Sequence, residues 1–142
     1  MRGTYAILLY VPYDISLAVG ELGRVEFGAG YYAYLGSALG GIERRVSRHL
    51  STDKKVYWHI DHLMLHARAV DVVAAESEQR KECEVAGHLA RELKGVRGFG
   101  SSDCRCPGHL FYHPDRNLLL SAVKRAFREA GLSPGRIING QG

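Results

Sequence analysis

Eight consecutive residues near the start, Thr4 to Val11 (TYAILLYV), are apolar or aromatic after the opening threonine, and Pro12 halts them. An uncharged run of that length, rich in strand-forming side chains, predicts a buried strand. The rest of the chain alternates between strands and helices. Ile15 to Val19 and Arg24 to Phe27 are short runs on either side of Gly20-Glu21-Leu22-Gly23, which predicts a hairpin. After Gly28-Ala29-Gly30 comes an extended segment, Tyr31 to Leu35. Side chains alternate along it, so Tyr32 and Tyr34 share one face while Tyr31, Ala33 and Leu35 share the other. Tyr34 is expected to end that strand, facing a site or a solvent edge.

A helix is predicted over 40–50. Leu39, Ile42, Val46 and Leu50 form its apolar stripe, with Arg45 and His49 on the stripe's border. Four residues apart, these two share a face where the fold can hold them within reach of a ligand. The glycine pair Gly40-Gly41 opening the helix offers backbone N–H groups to a phosphate. Tyr57 to Ala67 predicts a second helix, with Ile60, Leu63, Met64 and Ala67 inward. The β-branched stretch Ala69 to Ala75 predicts a strand. A third helix is expected from Ser77, as N-cap, to Leu93. On it Glu82 shares a face with Val85, Ala86, Leu89 and Leu93. A carboxylate on an apolar face calls for a cation, a metal or a strong donor, which singles out Glu82. A short strand over His109 to Tyr112 and a last helix, Arg116 to Ala130, capped by Asp115, complete the pattern.

Composition narrows the class. The 142 residues, 46% of them apolar, suit a single domain, taken as residues 1–132, with 133–142 as a flexible tail. A net charge of +4 permits contact with a polyanion without requiring it. No charged-then-apolar leader opens the chain and no apolar run reaches bilayer length, so no membrane partner and a cytoplasmic location are expected. Three cysteines do not make a disulfide framework. The sequence does not indicate an oligomeric state.

Gly3-Thr4-Tyr5, Tyr34-Leu35-Gly36-Ser37-Ala38, Arg45 and His49 together resemble the GIY-YIG nuclease superfamily. Trp58-His59-Ile60-Asp61, Gly100-Ser101-Ser102-Asp103-Cys104-Arg105-Cys106 and His109-Leu110-Phe111-Tyr112 extend the likeness over nearly the whole chain, to a group of small prokaryotic GIY-YIG-like proteins. The resemblance implies an α+β fold with a small, mainly antiparallel sheet flanked by helices. The 15–27 hairpin is then an insertion between the two tyrosines. Members of the group stand alone or are joined to an endonuclease III-type protein, which implies DNA as substrate, a part in repair and a repair-protein partner. RNA presents the same phosphodiester.

The activity so implied is phosphodiester hydrolysis with one divalent cation, Mg2+ or Mn2+. Glu82 would hold the cation through oxygen. Tyr5 would position the attacking water and take its proton, with Tyr34 sharing that role. Arg45 would neutralise charge on the phosphate oxygens, and His49 would hydrogen-bond Tyr5 or the phosphate. Ser37, Gly40, Gly41, Arg44 and Arg48 are the candidate substrate contacts. His59, Asp61, Asp103, Cys104, Cys106 and His109 form a possible additional site, highlighted by the resemblance without a role. Other readings stand beside these. The tyrosines can be core aromatics, Arg45 and His49 a solvated helix edge, Glu82 the partner of a structural arginine, and the protein a nucleic-acid-binding module without catalysis. Cys104, Cys106, His109 and His113, with Cys83 nearby, are N/S donors for zinc. Cys-x-Cys is tighter than the usual zinc-knuckle spacing, so idle thiols are the expectation there. His59, His62 and His66 line one helix face that could bind metal or phosphate, with solvation as the default.

Overall fold

A computed structural model of the chain describes residues 1–52, 54–101 and 106–136. The opening apolar run forms β1 (Gly3–Val11), which is paired on both sides along nearly its whole length. Its neighbours are β4 (Gly30–Ala38) and β5 (Arg68–Glu76), both antiparallel to it. Double pairing explains why the run is apolar at odd and even positions alike, since neither face nor edge meets water. Beyond β4 lies β7 (Leu110–His113), followed by the two-residue edge strand β6 (Lys94–Gly95). Beyond β5 lies β8 (Gly135–Arg136), giving the order β6-β7-β4-β1-β5-β8 with every pairing antiparallel. The expected α+β class, an antiparallel sheet flanked by helices with an inserted hairpin, is the architecture observed.

That hairpin, β2 (Ile15–Ala18) and β3 (Arg24–Phe27), forms its own two-stranded sheet, joined through one 3-10 turn at Gly20–Leu22. It lies on the same face of the main sheet as α1 (Ile42–Leu50) and α2 (His59–Met64). The opposite face carries α3 (Glu82–Leu89) and α4 (Arg116–Glu129). Strand alternation therefore sorts the side chains of β1 and β4 into two cores. Tyr5, Ile7, Leu9, Tyr32 and Tyr34 face the hairpin, α1 and α2, while Ala6, Leu8, Ala33 and Leu35 face α3 and α4.

Several boundaries move for identifiable reasons. Ser77 does not cap α3: its hydroxyl accepts from the Gln79 amide (3.1 Å) in a local turn, so the helix starts five residues later. The N-cap there is Lys81, whose amide donates to Thr4 Oγ1 (3.2 Å). The second helix is shorter than 57–67 because Asp61 accepts from the amides of Tyr57 and Trp58 (2.8 and 2.7 Å), which fixes the chain just before it. Asp115 does cap α4, accepting from Leu118 N at 3.0 Å. The tail expected from residue 133 is corrected at its start, since Gly135–Arg136 pairs with Val73 and Ala74; residues 137–142 lie outside the described residues. Among the described residues, no helix is long and apolar enough to cross a membrane.

Candidate functional site

Tyr5 and Tyr34 sit on adjacent central strands and point to the same side. Register pairs Tyr5 with Gly36 and Ile7 with Tyr34. The glycine is a steric requirement: a Cβ at position 36 would lie 2.5 Å from Tyr5 Cζ, so the ring occupies the space a side chain would take. Gly100 does the same for the second tyrosine, where a Cβ would come within 2.9 Å of the Tyr34 ring. Both rings border a cleft of about 820 Å³, whose wall also includes Ser37, Arg45, Trp58, Arg80, Glu82, Cys83 and His109.

Behind the tyrosines sits His49. Sequence placed it on the border of the helix stripe, but it is wholly buried, with Nε2 2.8 Å from Tyr5 Oη. Its ring also meets the Tyr34 edge, 5.7 Å between centroids, and Trp58 at 5.3 Å. His49 therefore positions Tyr5 and does not form part of the cleft wall. Burial drives its pKa down to about 3, the nearby Asp61 opposing that shift, so the imidazole is neutral at physiological pH. Its Nδ1 has no hydrogen-bond partner among the described residues. Burial likewise raises Tyr5 to about 12, with the Arg45 charge pulling the other way, and raises Tyr34 further. Both phenols keep their protons at neutral pH.

Arg45 reaches over the cleft from the first helix. Its Nη1 donates to the Ser37 carbonyl (3.3 Å), and its guanidinium lies 4.8 Å from the Trp58 ring centroid. Those contacts leave a planar cation on the cleft wall, half-buried and oriented. Glu82, which begins α3, lines the same cleft, and Ser37 Oγ donates to Glu82 Oε1 at 2.7 Å. Among the described residues that hydroxyl, and not an arginine, satisfies the carboxylate expected to project from the apolar side. Ser37 in turn lies 3.2 Å from Thr4 Oγ1, which ties both opening tripeptides to the glutamate.

Other candidates have structural partners. Arg48, expected at the substrate, makes a two-pronged ion pair with fully buried Asp61, both contacts 3.1 Å. Asp61 spends its remaining capacity on the Tyr57 and Trp58 amides, and these donors hold its carboxyl below the usual carboxylate range against the effect of burial. This pair is a brace between α1 and α2, which corrects both assignments. Arg44 is exposed and lies off the cleft wall, as do Gly40 and Gly41. The amide of Ile42, which follows the glycine pair, already donates to the Met1 carbonyl at 2.6 Å. His59 Nδ1 accepts from the Gly100 amide at 2.8 Å, which orients its ring on the cleft wall. Asp103 and Cys104 lie outside the described residues.

The remaining residues of the additional site converge. Cys83, Cys106 and His109 present donor atoms all within 4.8 Å of one another, beside Glu82. The sequence named all three among the zinc donors and set zinc aside on the Cys-x-Cys spacing; the fold brings Cys83, on α3, to Cys106 and His109 on the approach to β7. Arg80 and Tyr57 also line the cleft, although neither was a candidate site residue by sequence, and so does His62, for which solvation was the default expectation. For Arg80 the available signal was its place two residues before Glu82. Tyr57 stands beside Trp58, one of the residues carrying the family likeness.

Residues 4–132 match the family described as a domain of unknown function, DUF123, and the chain belongs to that family. No curated protein and no solved structure matches the chain.

Proposed function

We propose that this DUF123 chain is a metal-dependent endonuclease of the GIY-YIG type that hydrolyses DNA phosphodiester bonds, acting in repair. The observation that carries the reading is the convergence of Tyr5, Tyr34, Arg45 and Glu82, from four separate elements, on one cleft. Random packing does not bring a cation, a carboxylate and two phenols to one wall and hold the cation, the carboxylate and one phenol each by a hydrogen bond.

In this reading Arg45 binds the scissile phosphate, its fork of donors facing the oxygens on which charge accumulates. Tyr5, set in place by His49, orients the attacking water. Its high pKa means that proton acceptance depends on cationic charge arriving nearby, and Arg45 already supplies part of it. Glu82 suits a hard cation by donor chemistry: it is an oxygen ligand at the cleft, pinned by Ser37 and distinct from the neighbouring sulfurs. Bound there, Mg2+ or Mn2+ supplies Lewis-acid stabilisation of the phosphate and the leaving oxygen.

The test is a cleavage screen of the full chain on labelled branched, damaged, single-stranded and duplex DNA and on RNA, with Mg2+ and Mn2+, comparing wild type with Glu82→Ala. Expected is nicking of DNA by wild type that disappears in a folded Glu82→Ala protein. One observation favours a second reading: burial holds both tyrosines neutral, as in a core that only binds. Salt-sensitive nucleic-acid binding without cleavage in either metal would select that module and end the enzyme reading.

A further inference from the structure

We propose that Cys83, Cys106 and His109 form a binding site for a thiophilic divalent cation of the zinc class, and that the bound ion fixes the helix start carrying Glu82. The donor geometry is already close to that of a metal site. Cys83 Sγ and His109 Nε2 are 3.5 Å apart. Ligands held at about 2.3 Å (sulfur) and 2.0–2.1 Å (nitrogen) from a tetrahedral ion are separated by roughly 3.6 Å. With Cys106 the three atoms stay within 4.8 Å of one another, so small side-chain rotations bring all three onto one ion.

Donor type selects the metal. Two thiolates and an imidazole favour zinc over magnesium or calcium, which take oxygen ligands. This site is therefore separate in chemistry from the carboxylate next to it. Two thiolates also balance the charge of the ion, so its binding leaves Glu82 uncompensated and available to a second, harder cation.

The frame around the donors is rigid where it needs to be. His109 is 4% exposed. Its amide donates to the Phe99 carbonyl (2.7 Å), its carbonyl accepts from Leu35 N on β4 (2.9 Å), and its side chain packs beside Gly100. Such contacts set the ring before a metal arrives. Cys83, by contrast, is the second residue of a helix that starts without a side-chain cap. An ion bridging it to His109 would staple this uncapped end to the central sheet. Glu82, one residue away, would then be held at a fixed distance from Ser37 and Arg45.

Metal binding is read without nucleic acid, so its outcome and that of the nuclease screen are independent. The full chain, reduced and stripped with a chelator, is titrated with Co2+ alone and then with Zn2+. Expected is one equivalent of Co2+ giving thiolate-to-cobalt charge-transfer absorption with the d–d bands of a tetrahedral site. Zn2+ removes these bands and excess Mg2+ does not. Cys106→Ser and His109→Ala should each weaken Co2+ binding by more than the ~10–100-fold typical of lost outer-shell contacts. Zn2+ should also slow amide hydrogen exchange in the Glu82–Leu89 helix of wild type but not of Cys106→Ser. Absence of the charge-transfer band at stoichiometric Co2+ in reduced wild type overturns the site, as does a band that survives in both variants. Unchanged helix exchange in zinc-loaded wild type overturns the stapling role. If a variant fails to fold, the wild-type titration decides the site by itself.

Discussion

The two faces of the central sheet are built from the same strands and hold opposite kinds of core. Toward α3 and α4, β1 and β4 present Ala6, Leu8, Ala33 and Leu35, packed with Val85, Leu89, Val123 and Phe127. Toward α1 and α2 they present Tyr5, Tyr34 and Tyr32, with His49 and Asp61 buried beside them. Burying hydroxyls, an imidazole and a carboxylate costs free energy unless each finds a partner, and an apolar set would fill the same space without that cost. Here the partners are present, in Tyr5 with His49 and Asp61 with Arg48; the Ser37–Glu82 contact lies on the α3 side of the same strands, where the cleft passes from one face to the other. The contrast assigns the stability of the fold mainly to the apolar face, and the proposed chemistry to the aromatic one together with the start of α3, which brings Glu82 to the cleft.

Substitutions on the two faces should therefore fail differently. Leu8→Ala, in the apolar core, is expected to lower unfolding free energy by about 2–5 kcal/mol in urea titration, with cleavage per folded molecule retained. Loss of cleavage without loss of stability would reverse the division of labour. Arg45→Ala on the other face should reduce cleavage by about 10²–10³-fold, the scale for losing one charge-stabilising donor, with little change in melting temperature. An undiminished rate would remove Arg45 from the chemistry. Gly36→Ala should cost about 1–3 kcal/mol by driving a methyl group into the Tyr5 ring; a neutral result would mean that the ring has room to move.

The smallest effect per step is a pH slope. His49 has a folded pKa of about 3, below its ordinary value near 6.5, so the unfolded chain takes up a proton first as pH falls. The contribution of neutral His49 is complete above pH ~6.5 and is lost as pH drops toward ~3, at up to ~1.4 kcal/mol per pH unit. Denaturant midpoints of wild type and His49→Leu across that window should diverge with this sign. Parallel curves would show that His49 is not buried as a neutral ring.

Much of this was legible from alternation alone, because a period of two is enough to assign each tyrosine to one face of the sheet. Strands β6 and β8, two residues each, carry no such period and exist only through their pairing partners. The site divided in the same way. Tyr5, Tyr34 and Arg45 were legible through short motifs on regular elements, and Glu82 through its apolar helix face. The role of Arg48 was misread because its partner Asp61 lies thirteen residues away on another helix. The approach of Cys83 to His109 spans twenty-six residues and follows from tertiary packing.

The seat that Gly36 provides for Tyr5 has a consequence for how the chain assembles. Between β1 and β4 the chain first builds a separate hairpin, so no tight turn sets the alignment of the two long strands. A slip of two positions would keep every side chain on its proper face, and hydrophobic patterning alone would not oppose it. It would, however, place Tyr34 or Ala38 opposite Tyr5 in place of the glycine. Neither leaves the gap into which the ring folds. A missing side chain thus serves as an alignment mark, rejecting misaligned pairings while the sheet is still forming.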